Sequence, residues 1–248
     1  MSHLMRPIVL IPARMGSQRL PGKALAEIGG KPMVVQTLER ALEAAIGPVF
    51  VATDAPEIAA AVAAAGGQAA MTDPALPSGS DRIAAALAAL DPHRRHDVIV
   101  NLQGDEPLMA PAHLRAALAL MDDPAVDVGT LATPMDEAER DDPAAVKIIG
   151  AARGGERLRA LYFTRAPAPW GAQRLTRHIG VYVWRRAALE AFVDLPPSPL
   201  ELCEKLEQLR ALEAGMRIDA AMVDSAHRGV DTPQDLARLR AHFERSEP

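Results

Sequence analysis

The densest chemical signal in the sequence is the run Arg14-Met-Gly-Ser-Gln-Arg-Leu-Pro-Gly-Lys23, where two arginines, a lysine and two glycines share ten residues. Glycine lets backbone N–H groups approach anionic oxygens, arginine supplies a planar fork of donors, and lysine supplies a compact point charge. Such a loop suits a triphosphate, and its candidate contacts are Ala13, Arg14, Gly16 and Lys23. It is not a Walker A loop, because five residues separate Gly16 from Gly22 and Lys23 is followed by Ala24 rather than a magnesium-binding hydroxyl. No G-x-G-x-x-G pattern follows the first strand either, which argues against a nicotinamide or flavin dehydrogenase. The competing reading is a solvated basic turn.

A second constellation is Val100-Asn-Leu-Gln-Gly-Asp-Glu-Pro107. A carboxylate beside a glycine turn at the C-terminal end of a strand is well placed to hold a hard cation against a substrate phosphate. Asp105 is the first-choice ligand, set against the ordinary use of a turn aspartate as a backbone cap.

The elements that must position these residues can be read from periodicity. Ile8 to Ile11 is an apolar, β-branched run of the kind found in buried parallel strands, and it places the basic loop where open α/β sheets bind ligands. Pro32 to Ala44 has helical spacing, Val49 to Ala52 reads as a strand, and Asp54 is expected to cap a helix opening at Ala55-Pro56-Glu57. Ala59 to Ala65 continues as helix to Gly66-Gly67, Gln68 to Met71 is extended, Arg82 to Leu90 is helical, and Val98 to Leu102 is another buried strand. This alternation predicts an α/β fold, doubly wound around a mostly parallel sheet with helices on both faces. Beyond Val128 to Thr133 the strands at Val146 to Ile149, Leu161 to Phe163 and Ile179 to Trp184 lack a full helix between each pair, so the sheet is expected to become mixed. Ser198-Pro-Leu-Glu201 reads as a capping box, followed by a helix with Leu202, Leu206 and Leu209 on one face up to Gly215. Thr232-Pro233 opens a final helix.

Composition bounds the function. The chain has 248 residues, 49% apolar and 24% charged, enough for a self-sufficient core in one domain. A net charge of −5 argues against nucleic-acid binding, so a polyphosphate must be met by a local basic cluster. Cys203 is the lone cysteine, which excludes an intrachain disulfide and a cysteine-rich zinc site. Met1 to Arg6 is too short for a signal peptide and no apolar run is long enough to span a membrane, so a cytoplasmic protein is expected.

The ordered segments, taken together, resemble the 3-deoxy-manno-octulosonate cytidylyltransferase family, of the Rossmann-like nucleotide-diphospho-sugar transferase fold. They are Ile11 to Lys23, Val51-Ala-Thr-Asp54, Ser78-Gly-Ser-Asp-Arg82, Asn101 to Pro107, Leu161 to Arg165, Arg177 to Tyr182, Pro197 to Glu201, Lys205 to Arg210 and Gly229 to Pro233. The resemblance implies that Arg14 and Lys23 bind the phosphates of CTP, that Ser78 and Arg82 recognise the cytidine, and that Gln103 lies by nucleotide and sugar. It implies that Asp105 and Asp231 bind Mg2+, and that Arg19, Arg165, His178, Tyr182, Glu207 and Gln208 contact the eight-carbon acid KDO. His178 has the alternative of a hydrogen-bonded core histidine, Glu207 of a solvated side chain, and Asp231 of a carboxylate favoured by a helix dipole. A CTP-binding part about residues 6–135, a sugar-binding and dimerisation part about 136–230 and a C-terminal helix about 232–246 are expected, in a homodimer serving lipopolysaccharide biosynthesis. The competing functions are a CMP-sialic acid synthetase, whose basic loop reads differently, and a noncatalytic nucleotide-binding module.

Overall fold

A computed structural model of the chain describes residues 5–17, 19–224 and 229–246; Met1 to Leu4 and Gln18 of the basic loop lie outside the described residues. The chain's contacts divide it into two compact units, residues 1–114 with 227–248, and residues 115–226.

The first unit is built on β1 (Pro7–Ala13), whose Ile8 to Ile11 are buried as their uninterrupted apolar run requires. A small hairpin, β2 (Glu27–Ile28) and β3 (Lys31–Pro32), leads into α1 (Met33–Ala44), β4 (Val49–Thr53), α2 (Pro56–Ala64), β5 (Ala69–Met71), α3 (Gly79–Leu90) and β6 (Val98–Leu102). β1 pairs in parallel with β4 on one side and β6 on the other, and β4 with β5, so the order is β5-β4-β1-β6. Because β1 and β6 run in the same direction, the two loops singled out above leave the same sheet edge. α4 (Pro111–Ala119) contains the boundary at residue 114.

The second unit holds β7 (Val128–Pro134), β8 (Lys147–Ala152), β9 (Arg157–Thr164), β10 (Thr176–Arg185), α5 (Arg186–Val193), α6 (Pro199–Glu204), α7 (Gln208–Glu213) and β11 (Ile218–Met222). Here β10 is antiparallel to β7, β8 to β9 and β9 to β11, whereas β11 is parallel to β7. The mixed extension expected from the sequence is therefore present. β11, α4 and α5 were not anticipated. The chain then rejoins the first unit through α8 (Pro233–Ser246), where Leu236 and Leu239 pack with Ile28, Met33 and Val230, and Phe243 lies against them. Gly29, at φ 53°, makes this possible: a Cβ there would lie 2.6 Å from Phe243 Cδ1.

Two local expectations are corrected. Asp54 does not cap α2; the Ala55 amide donates to Thr53 Oγ1 at 3.2 Å, and the Asp54 carboxylate accepts from Arg82 Nη2 at 3.0 Å. The helix expected from Ser198 to Gly215 is two helices. Its capping box is present, but Lys205 takes φ 56° and breaks the run, leaving Leu202 54% exposed while Leu206 and Leu209 are buried. The cause lies elsewhere in the chain. Arg165 Nε and Nη2 claim the carbonyls of Glu204 and Lys205 at 2.8 and 3.2 Å, and the Glu204 carboxylate accepts from Thr164 Oγ1 and the Arg165 amide. Carbonyls bound by a guanidinium need no further helical turn to satisfy them.

Candidate active site

In the first unit, Pro12, Ala13, Arg14, Ser17, Arg19, Lys23, Ala24, Ser78, Gly79, Arg82, Gln103, Gly104, Asp105 and Asp231 line one cleft of about 460 Å³. That volume is in the range of small-molecule sites. The basic loop is folded on itself by the Met15 carbonyl, which accepts from the amides of Ser17 and Gly22, and Gly22 supplies a left-handed turn at φ 69° just before Lys23. Gly16 behaves differently: it does not line the cleft, and a Cβ there would meet nothing within 4 Å. Gly104, which sequence reasoning left unassigned, has the steric need instead. A Cβ on it would come within 2.9 Å of the Pro12 carbonyl, so its bareness lets the β6 exit turn lie against the end of β1.

Charge is sorted within the cleft. Lys23 Nζ lies 2.5 Å from Asp105 Oδ2 and 3.1 Å from Asp231 Oδ1, and Arg19 Nη2 lies 3.1 Å from the same Asp231 oxygen. Burial alone would lower the Lys23 pKa, but the charges of Asp105 and Asp231 outweigh it and hold the ammonium above the ordinary lysine range. Lys23 is thus a fixed cation at any physiological pH. Asp231 is delivered by the start of α8, where Thr232 and Asp235 cap each other: Asp235 N donates to Thr232 Oγ1 at 3.2 Å, and Thr232 N to Asp235 Oδ2 at 2.9 Å. With Asp235 doing the capping, Asp231 is left to face Lys23 and Arg19.

Elsewhere in the same cleft the groups suit an uncharged ligand part. Ser78 caps α3 by accepting from the Asp81 amide at 3.2 Å and donates to Asp81 Oδ2 at 2.6 Å. The Arg82 guanidinium, 2% exposed, is held by Asp54 and by Thr72 Oγ1 at 2.5 Å. Neither residue brings unbalanced positive charge, as phosphate would demand; a base and ribose fit better. Gln103 donates from Nε2 to Asn101 Oδ1 at 3.1 Å, which orients its amide beside Gly79. Asp54, Thr72 and Asn101 are the supporting partners that sequence reasoning missed; the Asp54 carboxylate was the one visible sign, read there as a cap.

A hard divalent cation fits the donor set of Asp105 and Asp231, whose carboxylates already converge on one cationic position, that of Lys23 Nζ. No group of three or more His, Cys, Asp or Glu suited to a metal occurs among the described residues. Magnesium here would rely on these two carboxylates plus ligand oxygens and water, its usual habit at phosphate sites.

The remaining sequence candidates lie in the second unit. His178 and Tyr182 stand together with ring centroids 5.6 Å apart, and Phe163 meets His178 edge-on at 4.9 Å. Burial and the neighbouring Arg177 push His178 down to about 3, so its imidazole is neutral. Burial, with the Glu207 charge, raises Tyr182 and keeps its phenol protonated. Glu207 precedes α7 and lies 3.8 Å from Arg210, while Gln208 is buried. Arg165 is committed to protein carbonyls, adding that of Pro143 at 2.7 Å to the two already described. In this structure it acts as a clamp on the loops around it.

Comparison with known proteins shows the family. A family model described as Cytidylyltransferase matches residues 8–218. A 3-deoxy-manno-octulosonate cytidylyltransferase of Rhodopseudomonas palustris (strain HaA2) is 61% identical over 236 residues, 95% of this chain and 96% of its own. One of Bradyrhizobium sp. (strain ORS 278) is 62% identical over 234 residues, 94% of this chain and 95% of its own. Among solved structures, that of CMP:2-keto-3-deoxy-manno-octonic acid synthetase complexed with CTP matches with a TM-score of 0.89 at 40% identity, covering 98% of this chain and all of that one. UDP-glucose pyrophosphorylase, with a TM-score of 0.70 at 14% identity, shares the nucleotidyltransferase fold alone.

Proposed function

We infer the reaction from the family, since this chain belongs to the 3-deoxy-manno-octulosonate cytidylyltransferases: it transfers CMP from CTP to 3-deoxy-manno-octulosonate (KDO) and releases pyrophosphate. The structural observation that carries the reading is the meeting of Arg14, Arg19 and Lys23 with Asp105 and Asp231 in one cleft.

In this reaction the anomeric hydroxyl oxygen of KDO attacks the α-phosphorus of CTP. A new P–O bond forms, the bond to the α–β bridging oxygen breaks, pyrophosphate leaves with the electron pair, and the hydroxyl proton passes to water. No covalent enzyme intermediate is needed, so the protein's task is alignment and stabilisation of charge on the phosphate oxygens. Arg14 and Lys23 supply fixed cations for the triphosphate and Arg19 one for the acid, while Ser78, Arg82 and Gln103 hold the cytidine. His178 and Tyr182, both neutral, offer hydrogen bonds to the acid's hydroxyls, with the Glu207 charge near Tyr182, and Gln208 is a further candidate contact. Asp105 and Asp231 would hold magnesium, which when bound supplies Lewis-acid polarisation of phosphate oxygen and lowers the pKa of a nearby hydroxyl.

Among the described residues no helix is long and apolar enough to cross a membrane, in line with a cytoplasmic enzyme that activates KDO for lipopolysaccharide biosynthesis. A homodimer is proposed from the family likeness alone. Pyrophosphate release should be measured with CTP, ATP, GTP and UTP, each with and without KDO and magnesium. Release is expected with CTP, KDO and magnesium together. Release with a nine-carbon sialic acid instead of KDO would overturn the acid assigned, and CTP binding without release under any condition would leave a noncatalytic module.

A further inference from the structure

β10 carries an irregularity that determines how His178 is presented. Ile179 pairs with Leu131 and Val183 with Gly129, so β10 takes four steps where β7 takes two, and two extra residues bulge opposite Thr130. A straight strand would set the Cα atoms of residues four apart at about 13 Å; the bulge lets the His178 and Tyr182 rings approach to 5.6 Å. Such a bulge leaves carbonyls out of the ladder, and they need a donor.

Thr130, fully buried, is that donor. Its Oγ1 lies 2.7 Å from the Val181 carbonyl, 3.2 Å from the Ile179 carbonyl and 2.9 Å from His178 Nε2. A threonine hydroxyl has one proton and two lone pairs, and a carbonyl can only accept. If the proton went to His178, two oxygens would face each other at 2.7 Å with nothing between them, a buried repulsive contact that also strands an acceptor. The proton therefore lies toward Val181, and Thr130 can meet His178 only as an acceptor. An imidazole that stays neutral has a single N–H to give, and here that N–H is on Nε2.

We propose that Thr130 is a positioning residue for the acid half of the reaction: by committing its proton to the bulge carbonyl it fixes the Nε2–H tautomer of His178, leaving Nδ1 as a hydrogen-bond acceptor for a hydroxyl of the polyhydroxy acid. A site that must take a hydroxyl donor needs a bare acceptor, and a histidine free to exchange tautomers would offer one only part of the time. The proposal rests on the reading of His178 as a contact to KDO.

The test uses the whole enzyme labelled with 15N on its histidine rings, with the His178 signals identified by their loss in His178→Gln. Wild-type His178 is expected to show the Nε2–H pattern without substrate present. Thr130→Val removes the acceptor and should shift His178 toward the other tautomer. It should raise KM for KDO roughly tenfold, about the worth of one hydrogen bond, with KM for CTP unchanged; Thr130→Ser should restore both. A wild-type His178 protonated on Nδ1, or charged at neutral pH, overturns the proposal even if Thr130→Val fails to fold. So does a Thr130→Val enzyme whose tautomer shifts while KM for KDO stays at the wild-type value. A chain that turns over no KDO at all defeats the reaction inferred above, a failure read by pyrophosphate release rather than by the ring nitrogens.

Discussion

Lys23 Nζ lies 2.5 Å from Asp105 Oδ2, at 18% and 24% side-chain exposure, so the cation proposed above for the triphosphate is paired with the carboxylate proposed for a metal. The contact holds both side chains in place, and the two carboxylates keep the Lys23 ammonium charged despite its burial. Replacing Lys23 by Met should slow pyrophosphate release by on the order of a hundredfold, as for loss of one preorganised charge-stabilising donor. Circular dichroism should show an intact fold. A well-folded Lys23→Met enzyme at near wild-type rate would remove this residue from the mechanism.

The carboxylates give a separate readout. Asp105→Asn and Asp231→Asn keep an oxygen donor but lose the charge that a hard cation prefers. Each should raise the magnesium concentration for half-maximal rate, by about tenfold or more for Asp105. The rise should be smaller for Asp231, whose side chain is 45% exposed and already shared with Arg19. An unchanged magnesium requirement in both variants would separate these carboxylates from the metal.

His178 sets an acid limit on stability. Its folded value, about 3, lies below the 6.5 of an unburied imidazole, so between those two values the unfolded chain binds the extra proton. Stability from this group is fully present above pH 6.5 and falls as pH drops toward 3, by about 1.4 kcal/mol per unit at the steepest. Urea unfolding from pH 7 down to pH 4.5 should show this slope in wild type and lose it in His178→Asn. Equal slopes would mean that the imidazole is not held neutral.

Gly29 ties the hairpin to α8. Gly29→Ala would put a methyl group 2.6 Å from the resting position of Phe243 Cδ1, on a backbone at φ 53°. Strain and overpacking together should cost about 1–3 kcal/mol in denaturant unfolding. Because Asp231 precedes that helix, the variant should also need more magnesium, whereas a purely local effect would lower stability alone.

Much of the cleft could be read from the chain because its parts sit in short contiguous motifs. Arg14 and Lys23 follow a buried strand, Ser78 and Arg82 open a helix, and Gln103 and Asp105 follow β6. What could not be read depends on partners distant in sequence. β11 contains Asp219, which looks foreign to a strand interior until Arg157 and Arg217 are seen to meet its two oxygens at 2.9 Å each. The break at Lys205 is enforced by Arg165, forty residues earlier. The commitment of Arg82 to Asp54 and the hold of Thr130 on His178 likewise join residues 28 and 48 positions apart, and no local periodicity records them.

The return of α8 to the first unit has a consequence for synthesis. A growing polypeptide exposes its cationic turn and Asp105 well before residue 231 leaves the ribosome, so during that interval Lys23 has one acidic partner in place of two. Unfinished or prematurely terminated products would carry Lys23 and Asp105 without the second carboxylate. The pairing of Lys23 with both carboxylates is completed only once residue 231 has been made.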